Sequence, residues 1–70
     1  MSQVEALYQT ALTEHRASRM DSAESLYRQI LEQDRLFARA WHLLGVILHQ
    51  RGETATAIGY IQRAIAFHFG

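Results

Sequence analysis

Shifted by 34 residues, the chain lines up with itself without a gap, and this period constrains its fold more than any other feature. Ala6 falls on Ala40, Leu7 on Trp41, Ala11 on Gly45, His15 on His49, Ser18 on Gly52, Ala23 on Ala57, Tyr27 on Ile61 and Leu31 on Ile65. Small residues recur where two helices of a hairpin must approach closely, and large ones recur beside them as knobs. A unit of this length cannot bury its apolar face alone, so the copies must stack for either to own a core.

Each copy reads as a helix hairpin. Proline is absent, and Ala, Leu, Gln, Glu and Arg, all good helix formers, dominate. Ser2-Gln3-Val4-Glu5 has the spacing of a capping box and predicts the first helix start. Leu7, Ala11 and Glu14 fall on one side of that helix, and Val4, Tyr8, Leu12 and His15 on another. The pattern weakens over Ala17–Met20, a predicted turn, after which Asp21 or Ser22 is expected to cap the second helix, with Glu24 bonding back to Asp21. Ala23, Leu26, Tyr27, Ile30 and Leu31 form its apolar row, and Glu24–Arg28 an i,i+4 pair on its wet side.

Gln33–Phe37 is the next predicted break, although nothing between Ser18 and Gly45 is proline or glycine. A fused second and third helix would make a rod and invite hairpin exchange between chains; an ordinary turn is the expected outcome. The third helix carries Ala40, Trp41, Leu44, Gly45, Ile47 and Leu48. Gly52 is free to turn the chain and Thr54 to cap the fourth helix.

The second half, opening Trp41-His42-Leu43-Leu44-Gly45 with Ala57 further on, resembles the tetratricopeptide repeat family; the first resembles it through Ala6-Leu7, Ala11 and the run Ala23–Asp34. The resemblance implies an all-α fold in a single domain over 1–70: two antiparallel helix hairpins, repeats over 3–34 and 37–70, stacked as a short solenoid. The chain is also similar to repeats that precede sugar-transferase or sulfotransferase-like domains in bacterial proteins, which makes a terminal fragment of a larger enzyme an alternative. Arg35 and Phe69 stand where the family usually places proline, and Glu14 where it places a large residue.

Function is expected to be non-catalytic protein binding. The formal net charge is zero and the basic residues, all arginine, are scattered, so no positive stripe for nucleic acid exists. No apolar run reaches the ~20 residues of a membrane span, and the first residues lack signal-peptide character, so a cytoplasmic chain is expected. There is no cysteine to form a disulfide or thiolate site. His42 and His49 lie about 10.5 Å apart along one helix, too far to share an ion, so no metal or other cofactor is expected; a histidine-bearing metal or ligand binder is the last-ranked alternative. The serines sit at helix ends, and no phosphate-binding glycine loop or catalytic constellation appears.

The family resemblance directs attention to the inner side of the first and third helices. Glu5, Tyr8, Leu12 and His15, with Arg39, His42, Leu43, Val46 and His49, form the expected partner surface. Arg39 could serve as a base for a peptide carboxylate, but Leu43 and Val46 stand where a carboxylate clamp needs polar groups, so a mixed, apolar groove is expected. Tyr27, Trp41 and Tyr60 are read as core. The last helix holds too much apolar mass for a two-hairpin core: Ile58, Ile61, Ile65, Phe67 and Phe69. Burying one such side chain is worth about 1.5–3 kcal/mol. Self-association into a homodimer through this helix is therefore the second expected mode of binding.

Overall fold

The computed structural model describes residues 2–69, with side chains as far as His68. Four helices follow one another, α1 (Gln3–Arg16), α2 (Met20–Gln33), α3 (Ala38–Gln50) and α4 (Thr54–Phe69), and each packs on the next. Helices α1 and α2 make the first hairpin, α3 and α4 the second, and the α2–α3 contact joins them.

The termini follow from local chemistry. Ser2 caps α1, its hydroxyl accepting from the Glu5 amide at 3.1 Å. The Glu5 carboxylate does not complete the box: it accepts from Arg39 instead. At the next start the expectation of an Asp21 or Ser22 cap is corrected. Ser18 takes a left-handed φ of 63°, which closes the turn so tightly that α2 begins at Met20, with Arg19 at the cap and no side-chain bond there. Asp21 and Ser22 are already inside the first turn and find other partners, Arg51 and Glu14. Glu24 likewise binds Arg28 and Arg51 rather than Asp21.

No proline separates α2 from α3, yet they do not fuse. Asp34 leaves the helical region, its carboxylate accepts from the Leu36 amide at 3.0 Å, and its carbonyl accepts from Phe37 at 3.2 Å. The Trp41 indole then donates to the Arg35 carbonyl at 2.7 Å. An aspartate turn with an aromatic strut replaces the family's proline. Before α4, Gly52 has φ 86°, repeating the Ser18 geometry one period later. Thr54 is the first residue of α4 rather than its cap; the Glu53 carbonyl accepts from the Ala57 amide.

The core centres on α2 and α3, which supply the largest fully buried side chains, Tyr27, Ile30, Leu44 and Ile47. Alanines and one glycine let the hairpin partners close on each other: Ala11 and Ala23 in the first, Gly45 and Ala57 in the second. A Cβ at Gly45 would stand 2.8 Å from Ile61 Cγ1 and 3.2 Å from the Ala57 carbonyl, whereas one at Gly59 would meet nothing within 4 Å. Gly45→Ala is therefore expected to cost about 1–3 kcal/mol through overpacking, despite alanine's better helix propensity. Gly59→Ala is expected to stabilise by about 0.5–1 kcal/mol. Thermal denaturation of the two variants must move Tm in opposite directions.

Candidate partner-binding site

The inner side carries the predicted partner residues on α1 and α3, in equivalent pairs: Glu5 with Arg39, Tyr8 with His42, Leu12 with Val46, His15 with His49. One end of this side is closed on itself. Arg39 donates to Glu5 at 3.0 Å, and its guanidinium lies 4.6 Å from the Tyr8 ring centroid and 4.7 Å from that of Phe37. The Tyr8 and Phe37 rings are themselves 5.3 Å apart, and Tyr8 is buried. Arg39 is thus engaged internally, with its charge already answered by a carboxylate. Leu12, Leu43 and Val46 are half-buried, and His42 and His49 exposed.

At the other end His15 Nδ1 lies 3.2 Å from the Tyr27 hydroxyl, while His49 Nδ1 is 3.5 Å from Thr54 Oγ1. Among the described residues no group of three or more His, Asp or Glu is placed to hold a metal ion. Burial, and after it the nearby Tyr8, pushes the Tyr27 phenol up to about 12. The hydroxyl is therefore kept neutral and in place as a partner for the imidazole.

Helix α4 divides its apolar residues among three destinations. Ala57 and Ala64 are buried, and Ile61 is half-buried with its Cγ1 directed to Gly45. Tyr60 and Phe67 lean on Trp41, with ring centroids 5.1 and 6.2 Å away. Ile58 and Ile65 stay 51% and 56% exposed. The expected apolar surplus is real, but narrower than five residues: Ile61 and Phe67 are half used by their own hairpin, and the Phe69 side chain lies outside the described residues.

Beside Ile65 runs an open cleft of about 230 Å³ between α3 and α4, lined by Ala38, Arg39, His42, Ile61, Ala64 and Ile65, with His68 at its end. One period earlier the same positions are Val4, Glu5, Tyr8, Tyr27, Ile30, Leu31 and Asp34. There Tyr8, Tyr27, Ile30 and Leu31 are all buried, since the second hairpin packs against the first through α2 and α3. A tetratricopeptide repeat family model matches residues 8–68.

The chain belongs to the tetratricopeptide repeat family. Repeats of this family are generally non-catalytic modules for protein–protein interaction. No curated protein matches the chain. No helix among the described residues is long and apolar enough to cross a membrane. Sequence inspection passed over Ala38, Ala64 and His68 as members of the end cleft. The 34-residue comparison contained the signal, because these positions coincide with Val4, Ile30 and Asp34 around the covered face of the first repeat.

The buried phenol yields a pH dependence. A phenol whose pKa is raised on folding contributes stability that is present below pH 10, its ordinary value, and is lost as pH rises through about 12. Tyr27→Phe removes this contribution together with the hydroxyl–imidazole bond. It is expected to lower stability at pH 7 by about 0.5–1.5 kcal/mol. It should also flatten the fall in urea-unfolding stability between pH 10 and pH 12 relative to the parent chain.

Proposed function

We propose that this chain is a protein-interaction module whose second repeat accepts an amphipathic helix of a partner protein in the cleft between α3 and α4. The reading rests on one observation. Leu31 is 8% exposed beneath the second repeat, whereas its equivalent, Ile65, is 56% exposed with nothing over it among the described residues. An apolar face of this kind is what a helix-in-groove partner recognises.

The first repeat supplies a template for the occupant. Helix α3 seats Ala40 and Leu44 in the core and sets Arg39 against Glu5. In the open cleft the residue equivalent to Glu5 is Arg39, so the matching helix carries an acidic residue where α3 carries its arginine. Arg39 meets Glu5 through one guanidinium nitrogen and, with its side chain 58% exposed, keeps further N–H donors for an acidic group of the occupant, and no carboxylate lines the cleft. The inner-side residues Glu5, Tyr8, Leu12, His15, Arg39, His42, Val46 and His49 are a weaker docking surface. Two of them bond each other and Tyr8 is buried, which leaves Leu12, Val46 and the exposed histidines as their contribution.

A second reading is a homodimer formed through α4. It is favoured by Ile58 and Ile65, seven residues apart and both exposed, in the spacing of a helix–helix seam. Against it, α4 contains no carboxylate to pair with the Arg39 donors that Glu5 leaves open in a second copy.

A labelled peptide spanning residues 35–51 with Arg39→Glu is the direct probe. Fluorescence anisotropy should show saturable binding to the full chain, at least tenfold weaker when the chain carries Ile65→Asp. The variant's own stability should stay within about 0.5 kcal/mol of the parent, as expected for a half-exposed position. Binding indifferent to Ile65→Asp would contradict the proposal. A concentration-dependent dimer in sedimentation, dissolved by that substitution, would replace it with the second reading.

A further inference from the structure

Helix α4 has a second flank, turned from the end cleft toward α2 and the turn before α3. There Arg35, Leu36, Trp41, Tyr60, Arg63 and Phe67 surround an open pocket of about 430 Å³. It shares Arg35, Trp41 and Tyr60 with an adjoining cleft, whose far rim carries Arg28 and Glu32. No residue of this pocket lines the end cleft.

Its composition is particular. Trp41, Tyr60 and Phe67 form a half-buried aromatic wall, and Leu36, 67% exposed, stands opposite as a free apolar contact. Arg63 lies over that wall, its guanidinium 5.2 Å from the Trp41 centroid and 5.5 Å from that of Tyr60. A guanidinium held over aromatic rings has no acceptor there, so its N–H donors stay available to an anion. Arg19, Arg28, Arg39 and Arg51 each have a carboxylate partner; Arg16, Arg35 and Arg63 have none among the described residues, and of these three Arg35 and Arg63 line this one pocket. Arg28 also donates to the Tyr60 hydroxyl, which leaves the Tyr60 proton free to donate in turn.

In a chain of zero net charge, two unanswered guanidiniums beside an apolar wall are a selective feature. We infer that this pocket binds an acidic peptide segment, one large apolar side chain seated between Leu36 and the Trp41–Phe67 wall and flanking carboxylates on Arg35 and Arg63. A nucleic acid fits less well, because a continuous polyanion leaving the pocket along α2 would run onto Glu32 and Glu24. The carboxylates of a short acidic segment fall on the Arg35 and Arg63 side and avoid both.

Trp41 is the only tryptophan in the chain and forms part of the wall, so its emission reports occupancy directly. The probes are a blocked hexapeptide with a Leu-Phe centre flanked on each side by two glutamates, its lysine-flanked counterpart, and a single-stranded oligonucleotide. The acidic peptide is expected to change Trp41 emission saturably. With Arg35→Gln and Arg63→Gln combined, its Kd should rise at least about fivefold, as loss of two exposed charge contacts implies. Both substitutions are on exposed side chains, and unchanged helical circular dichroism and Tm would show that the fold is intact. No saturable change, equal binding of the lysine peptide, or a Kd unmoved in the double variant would each overturn the inference. Tighter binding of the oligonucleotide than of the acidic peptide would also overturn it. None of these results bears on the helix cleft, which uses other residues.

Discussion

The contact between α2 and α3 is the interaction on which the molecule depends. Each hairpin by itself is a pair of short helices held by a line of alanines and one glycine, too thin to exclude water from both sides. Placing the second hairpin on the first buries Tyr27, Ile30, Leu44 and Ile47 completely, the largest such side chains among the described residues. A domain of this size buries only about 60% of the surface its unfolded chain exposes. Losing the α2–α3 layer would therefore leave neither repeat with a core. The ion pairs between the hairpins lie at the surface: Arg39 to Glu5 on one side, Arg51 to Asp21 and Glu24 on the other. Such pairs contribute about 0–1 kcal/mol each, so they fix the angle of stacking more than its strength.

The same contact explains why the two ends of the stack differ. On the first helix the outward positions include Thr10 and Thr13, whose hydroxyls donate to carbonyls of their own helix, and these need no neighbour. The last helix has isoleucines at its outward positions. A solenoid presents polar side chains where it stops and apolar ones where it continues. The outward face of α1 is thus polar where that of α4 is apolar, and both proposed sites flank α4.

Much of this was legible in the residues. The 34-residue register located both hairpins, the pairing of small residues and the apolar excess on α4. It also aligned Ser18 with Gly52, which marks Ser18 as a position of left-handed backbone even though serine does not advertise it. The start of α2 was misjudged for that reason: a serine there reads as neutral, while its backbone performs a glycine's task and brings the helix in before Asp21. The inner side follows from the family resemblance together with helical spacing. Spacing places Tyr8, Glu5 and Arg39 on one side but cannot tell that Arg39 folds back over Tyr8 and Phe37 and bonds Glu5. The pocket at Arg35 and Arg63 was invisible for a related reason. Tyr60, Arg63 and Phe67 recur at helical spacing on α4, but nothing periodic ties them to Arg35 and Leu36 in the turn; Trp41, bonded to the Arg35 carbonyl and packed on Tyr60 and Phe67, brings the two groups together.

The proposed helix cleft presupposes a register-matched pair of surfaces, one sealed and one bare. Because the chain contains no cysteine, single thiols can be introduced at Leu31 and Ile65 and their labelling rates compared under native conditions. The account predicts that Leu31→Cys reacts only as fast as the hairpins part, with a rate that rises in step with added denaturant. Ile65→Cys should react at nearly the rate of an unfolded thiol and be insensitive to mild denaturant. Equal, slow labelling at both positions would mean that the last helix is already covered, and the case for an open end would fail.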